Sequence, residues 1–226
     1  IFGSGEDYMD LANTFLFVRA QIVNADGTNI ADDAKVGPVN LWLHSLFSQV
    51  DMSLNEKLIS PSTNTYPYRA YLESLLSYGA GAKDSQMTAQ LWYKDQAGHM
   101  NGLDNNRGLT ARMDHTSRSR IVDMMGKLHC DLFFQDRYLL NGIDVKLRLV
   151  RSKDAFALMA REDTFKTRIT DVSLFVRKAK LSPPIQMAHI KALEKGTAKY
   201  PIRRVEIKAF SIPRGNLMAN QENLFM

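Results

Sequence analysis

The stretch Asn141 to Val150 reads NGIDVKLRLV, and its alternation decides the fold class. Ile143, Val145, Leu147 and Leu149 fall on one side of an extended chain, while Asp144, Lys146 and Arg148 fall on the other. Successive side chains of a strand point to opposite faces, so this pattern is that of a strand with one face buried and one wet. Asn141-Gly142, just before it, is the strongest short hairpin signal in the chain, because both residues tolerate positive φ.

The same period of two recurs on both sides. Leu16, Val18, Ala20 and Ile22 alternate with Phe17, Arg19 and Gln21, and Asp26-Gly27 then supplies a turn. Val50, Met52 and Leu54 alternate with Asp51 and Ser53, and Asn55-Glu56 can turn the chain into Leu58-Ile59. Leu128, Cys130, Leu132 and Phe134 repeat the pattern, as do Val172, Leu174 and Val176, with a phase shift toward Ala179 and Leu181 that a β-bulge would cause. Val205, Ile207 and Ala209 close the series against Glu206 and Lys208. Half-buried strands of this kind build an antiparallel sandwich or barrel.

Helices are predicted to be few and short. Thr65 can cap one in which Pro67 sits in the first turn and Tyr68, Tyr71, Leu72 and Leu75 form an inward face, with Gly79 as its stop. A second follows Ser182-Pro183-Pro184, with Met187, Ile190 and Leu193 inward and Lys191 and Lys195 near its end. Asp154 to Ala160 suits a further turn or two. These helices do not alternate regularly with strands, which argues against a doubly wound α/β sheet. The polar stretch from Gly79 to Arg120 reads as a long insertion loop with a short helix near Gln86 to Tyr93.

The 226 residues are 45% hydrophobic and 23% charged, ordinary usage for one domain with a sizeable core. No apolar run is long enough to span a bilayer as a helix. Cys130 is the single cysteine, so no intrachain disulfide and no thiolate zinc cage is expected, which fits a reducing compartment. Its alternating neighbours make it a buried apolar residue. Residues 1–105 hold 6 Lys/Arg against 12 Asp/Glu, whereas residues 106–226 hold 23 against 12, so the net charge of +5 hides an acidic and a basic half. A basic half can meet nucleic acid, an acidic neighbour or the chain's own acidic half, and charges that sit singly along strands rather than in blocks favour the last two.

Catalytic frames are not found. His44, His99, His115, His129 and His189 never lie two, three or four residues apart, so a strand or helix cannot present two of them to one metal. His129 falls on the polar phase beside Cys130, which places it at the surface. Gly3-Ser4-Gly5 and Tyr78-Gly79-Ala80-Gly81 lack the Lys-Ser or Lys-Thr of a phosphate loop. Glu6-Asp7, Asp32-Asp33 and Glu162-Asp163 fall in polar turns and read as solvated. Arg107, Arg112, Arg118 and Arg120 form one local basic patch, read as a solvated loop without interleaved aromatics. No catalytic, cofactor-binding or metal-ligating residue is therefore assigned, and the residues describe a β-rich structural or binding module rather than an enzyme.

The stretch Val39 to Gly79, VNLWLHSLFSQVDMSLNEKLISPSTNTYPYRAYLESLLSYG, is more specific than any of these. It resembles the major capsid proteins of Polinton (Maverick) elements and the related adintoviruses. GSGEDYMDLANT at Gly3 to Thr14, AQLWYKD at Ala89 to Asp95 and AFSIPRGN at Ala209 to Asn216, followed by Asn223-Leu224-Phe225, match in order. The resemblance implies a jelly-roll β-sandwich, the first of two that stand side by side in such a protein, three chains forming a pseudo-hexameric capsomer of an icosahedral shell. It implies a first strand at Phe15 to Val23 and a last at Arg203 to Ile212. Residues 1–212 would then be the first jelly roll, trimmed at its start, and residues 213–226 the beginning of the link to a second. The partners implied are further copies, neighbouring capsomers and a minor capsid protein, with no small-molecule substrate, cofactor or membrane span. Direct contact with nucleic acid is left open. The location implied is the virion. A minor single-roll penton protein and a lectin-like carbohydrate-binding roll are the alternatives, each needing a feature the residues do not offer: a different motif stretch or an aromatic platform.

Overall fold

The computed structural model describes residues 5–60, 63–162 and 164–209. In chain order the strands and helices are β1 (Tyr8–Asn24), β2 (Val36–Pro38), α1 (Trp42–Ser45), β3 (Phe47–Leu54), β4 (Lys57–Leu58), α2 (Tyr66–Ser77), α3 (Ala80–Lys83), α4 (Arg107–Thr116), β5 (Val122–Lys127), β6 (Val145–Arg151), α5 (Asp154–Ala157), β7 (Leu158–Ala160), β8 (Phe165–Ala179) and α6 (Pro183–Leu193). Among the described residues the chain is mainly β, all pairings are antiparallel, and no helix exceeds the 12 residues of α2.

Two three-stranded sheets run β5-β1-β8 and β4-β3-β6, and β2 pairs with β7 as a short ribbon. The alternation read from the sequence sets their inner faces. Leu16, Val18, Ala20 and Ile22 of β1 enter one core with Met124 of β5, Val50 and Met52 of β3 and Val145 of β6. Each such side chain contributes about 1.5–3 kcal/mol when fully buried, so the core rests on this shared face. Leu16 of β1, Leu147 and Leu149 of β6 and Val172, Leu174 and Val176 of β8 line a cleft of about 290 Å³.

Turn chemistry follows the sequence at two sites. Gly27 takes φ +90° in the turn that brings Val23 opposite Asn29. Asn55 and Glu56, at φ +44° and +66°, join β3 to β4 as a tight hairpin. The strongest hairpin signal behaves differently. Gly142 does turn at φ +71°, but the residues before it form only an isolated bridge, Leu139 to Met9, and β6 pairs with β3 instead.

Several expectations are corrected. Leu128 to Phe134 is not a strand: β5 ends at Lys127, and Asp131–Phe134 is a 3-10 turn that exposes Phe134 while Cys130 stays buried. The pairing of β8 with β1 is irregular at two places, at Val176, where β1 carries the extra residues Leu11 to Thr14, and at Thr170, opposite Arg19 and Ala20. Residues 203–209 form no strand, although Val205 and Ile207 are half-buried and Glu206 and Lys208 exposed, and residues 210–212 lie outside the described residues. The long insertion holds not only the 3-10 helix Gln86–Gln90 but also α4, capped by the Asn106 side chain accepting from the Gly108 and Leu109 amides. Asp154–Ala157 is a short helix that runs directly into β7.

Candidate functional site

The Val39–Gly79 stretch builds one feature that the strands do not require, a buried polar node beneath α2. The node forms because α2 sits inside out. Tyr68, Leu72, Leu75 and Leu76 recur at helical spacing and share one stripe. That stripe faces outward, with Leu76 80% exposed, while Arg69, Ala70 and Ser74 are buried. Of the expected inward face of α2, Tyr68, Leu72 and Leu75 are exposed, whereas Tyr71 is half-buried and packs against Trp92. Arg69 Nη2 donates to Asp131 Oδ1 at 2.6 Å and its Nε donates to Glu73 Oε1 at 2.9 Å. An ion triad buried to this degree loses several kcal/mol if one partner is turned out to water and the others are left behind.

The node continues through two histidines. Glu73 Oε2 accepts from His129 Nδ1 at 2.7 Å, and an ionised carboxylate can only accept, so that nitrogen carries the proton. The His129 amide donates to the Tyr66 hydroxyl at 3.4 Å. Tyr66 Oη lies 2.9 Å from His44 Nδ1, and His44 Nε2 lies 2.8 Å from Gln90 Oε1. With Gln90 accepting, His44 Nε2 holds the hydrogen and Nδ1 accepts from Tyr66, a tautomer assigned from the network. The rings of His44 and His129 meet edge to face, 4.7 Å between centroids.

Burial sets the protonation preferences. Desolvation, reinforced by His129, holds His44 well below the usual histidine range. Burial pushes the Tyr66 phenol well above its usual range and the Cys130 thiol up to about 12. For Glu73, burial acts to raise the pKa, but the His129 hydrogen bond and the Arg69 charge outweigh it and hold the carboxyl below its ordinary value. Burial likewise opposes the charge on Arg69, and Glu73 and Asp131 together raise its pKa nonetheless.

A second buried cation ties the insertion to the ribbon. Arg112 of α4, 0% exposed, donates to Pro38 O at 2.9 Å, Tyr93 O at 2.9 Å and Asp95 Oδ1 at 2.8 Å. Burial lowers its pKa, and Asp95 opposes that shift. Of the basic patch, Arg107, Arg118 and Arg120 are exposed, and Arg118 pairs with Asp32. The patch is thus divided, and its Arg112 is a structural strut rather than a solvated loop residue.

His129 is buried rather than superficial, and His44 is at the centre of the node. The other histidines lie apart: His115 bonds Tyr93 at 2.7 Å, His189 bonds Tyr8 at 3.0 Å, and His99 is exposed. Among the described residues no group of three or more His, Cys, Asp or Glu is placed to hold a metal ion. Glu6, Asp32, Asp33 and Glu162 are exposed as expected, Asp7 is half-buried, and Asp163 lies outside the described residues. The one-letter signal that could have revealed the node is the polar set Arg69, Glu73 and Ser74 at helical spacing opposite the apolar stripe.

Helix α6 departs from expectation as well. Ile185, Met187, Ile190 and Leu193 are all exposed by 42–55%, so none forms an inward face. No described helix is long and apolar enough to cross a membrane.

No protein-family model matches the chain, and no solved structure does. An uncharacterised protein of Caenorhabditis elegans, F54H12.2, is 25% identical over 234 residues, covering 98% of this chain and 54% of the relative. The chain therefore spans about half the length of the curated relative it matches.

Proposed function

We propose that the chain is the first jelly roll of a double jelly-roll major capsid protein from a Polinton-like or adintovirus-like element, with residues 1–212 as the roll and 213–226 as the start of the link. The observation that carries this reading is the use the fold makes of the Val39–Gly79 stretch. Four of its residues, His44, Tyr66, Arg69 and Glu73, hold α2 so that its apolar stripe faces outward. A subunit that works by packing against other bodies needs such a surface more than it needs a pocket.

Other features agree. Antiparallel sheets around one core are the framework of a jelly roll, and the long insertion between α2 and β5 is free to carry contacts. A relative about twice as long leaves room for a second roll. Trimeric capsomers, contacts with a minor capsid protein and residence in a virion follow from the reading, as does the absence of catalysis.

The test is to express the chain together with the coding sequence that follows it in its own reading frame. Trimers by light scattering, and shells or hexagonal capsomers by electron microscopy, are the expected result. A strictly monomeric product with no second block of alternating strands would overturn the reading.

A further inference from the structure

The hydrogen-bond chain in the node has a direction, and that direction makes it sensitive to acid. His44 accepts from Tyr66, the first residue of α2, and donates to Gln90 of the 3-10 helix. It has no free lone pair once protonated. Around it stand Tyr66, Arg69 and Glu73 from α2, and His129, Cys130 and Asp131 from the segment after β5. Asp51 of β3 acts on Cys130 through space, and Glu206 and Lys208 line the cleft of about 230 Å³ that His129 and Arg69 border. A second cleft, of about 180 Å³, also reaches His129 and Gln90, so water and protons have a route to the node.

We propose that the Tyr66–His44 hydrogen bond is an acid-operated latch, which holds α2 inside out and releases it when His44 gains a proton. Protonation at Nδ1 places two donor hydrogens between His44 and Tyr66 Oη. The phenol must then rotate to accept, and its own hydrogen is left in a buried site without a partner. The new imidazolium also lies against His129, whose Nδ1–H is already committed to Glu73. Opening α2 relieves both conflicts by letting His44 meet water. Opening of α2 works against the packing of Tyr66, Ala70 and Tyr71, while its leucines are already exposed.

The sign follows from linkage. The closed form keeps His44 neutral, while the open form titrates near the ordinary histidine value of about 6.5. The open form therefore binds more protons, and closed α2 loses ground as pH falls below about 6.5, by up to tenfold per pH unit. The latch does not depend on the capsid reading, because it needs only the node.

Hydrogen exchange on the whole chain, corrected for intrinsic rates and followed from about pH 7.5 to about pH 5, tests it. The Arg69–Ser77 amides are expected to lose protection below about pH 6.5 while those of Leu16–Ile22 keep theirs. Flat protection in α2, or simultaneous loss in α2 and β1, overturns the proposal. In His44→Asn, the Asn Oδ1 replaces Nδ1 as acceptor for Tyr66 and takes no proton, so the pH dependence of α2 should flatten. An unchanged slope in that variant, or an altered one in the exposed control His99→Asn, also overturns it. If His44→Asn does not fold, the α2 and β1 comparison in the unaltered chain decides.

Discussion

Arg69 of α2 and Asp131 of the turn after β5 meet at 2.6 Å, and both side chains are more than nine-tenths buried. This contact joins two segments 62 residues apart, one of them α2. It is also incomplete, because Asp131 Oδ2 is buried without a hydrogen-bond partner among the described residues.

Removing the cation should therefore be costly. Arg69→Met keeps most of the volume but leaves the buried carboxylates of Glu73 and Asp131 without the cation they share. We expect a loss of about 3–5 kcal/mol in urea unfolding. A loss below about 1 kcal/mol would show that the pair is not what orients α2.

Two glycines should respond in opposite directions to alanine. A Cβ on Gly108 would lie 2.5 Å from the Lys94 carbonyl oxygen, a backbone atom that cannot move aside alone. Gly108→Ala is expected to destabilise by about 1–3 kcal/mol through overpacking. Gly81 has nothing within 4 Å and lies in α3, so Gly81→Ala should gain about 0.5–1 kcal/mol from helix propensity. Thermal unfolding of the two variants side by side checks both signs.

Cys130 should be inert in the folded chain. Burial holds its thiol at about 12, so almost no thiolate exists near neutral pH. Labelling with a thiol reagent at about pH 8 is expected to be slow in native protein and complete in denaturant. Rapid labelling of native protein would place Cys130 at the surface instead.

The α2 stripe should matter for association and not for folding. Leu72 and Leu76 are exposed, so Leu72→Gln with Leu76→Gln should change the stability of this chain by no more than about 0.5 kcal/mol per site. In the full-length protein the same pair should weaken self-association, read as a shift toward monomer in analytical ultracentrifugation. Loss of folding in the isolated chain, or normal assembly of the variant, would remove the stripe from the proposed interface.

Much of the strand content was legible because the period of two is a local property of the chain. Leu16 to Ile22 and Val50 to Leu54 can bury one face only as strands, and they do. Leu128 to Phe134 shows the limit, since alternation over so few residues also suits a segment that turns sharply after Cys130. α4 was hidden because its sequence, RGLTARMDHT, is too polar to show a helical stripe. Its cap Asn106 and its buried Arg112 hold partners remote in sequence, which no local pattern discloses.

By itself the sequence determined an antiparallel, mainly β chain with a buried lone cysteine and histidines too widely spaced to share one strand or helix face. Periodicity also located the apolar stripe of α2. Only the tertiary structure decided that the stripe points outward and that His44, His129 and Arg112 are buried. The physical reason is that helical spacing says which residues share a face but not what that face meets. Here Arg69 and Glu73 find polar partners inside, at Asp131 and His129, and Tyr66, Ala70 and Tyr71 pack inward beside them, so the exposed leucines are left on the outer side.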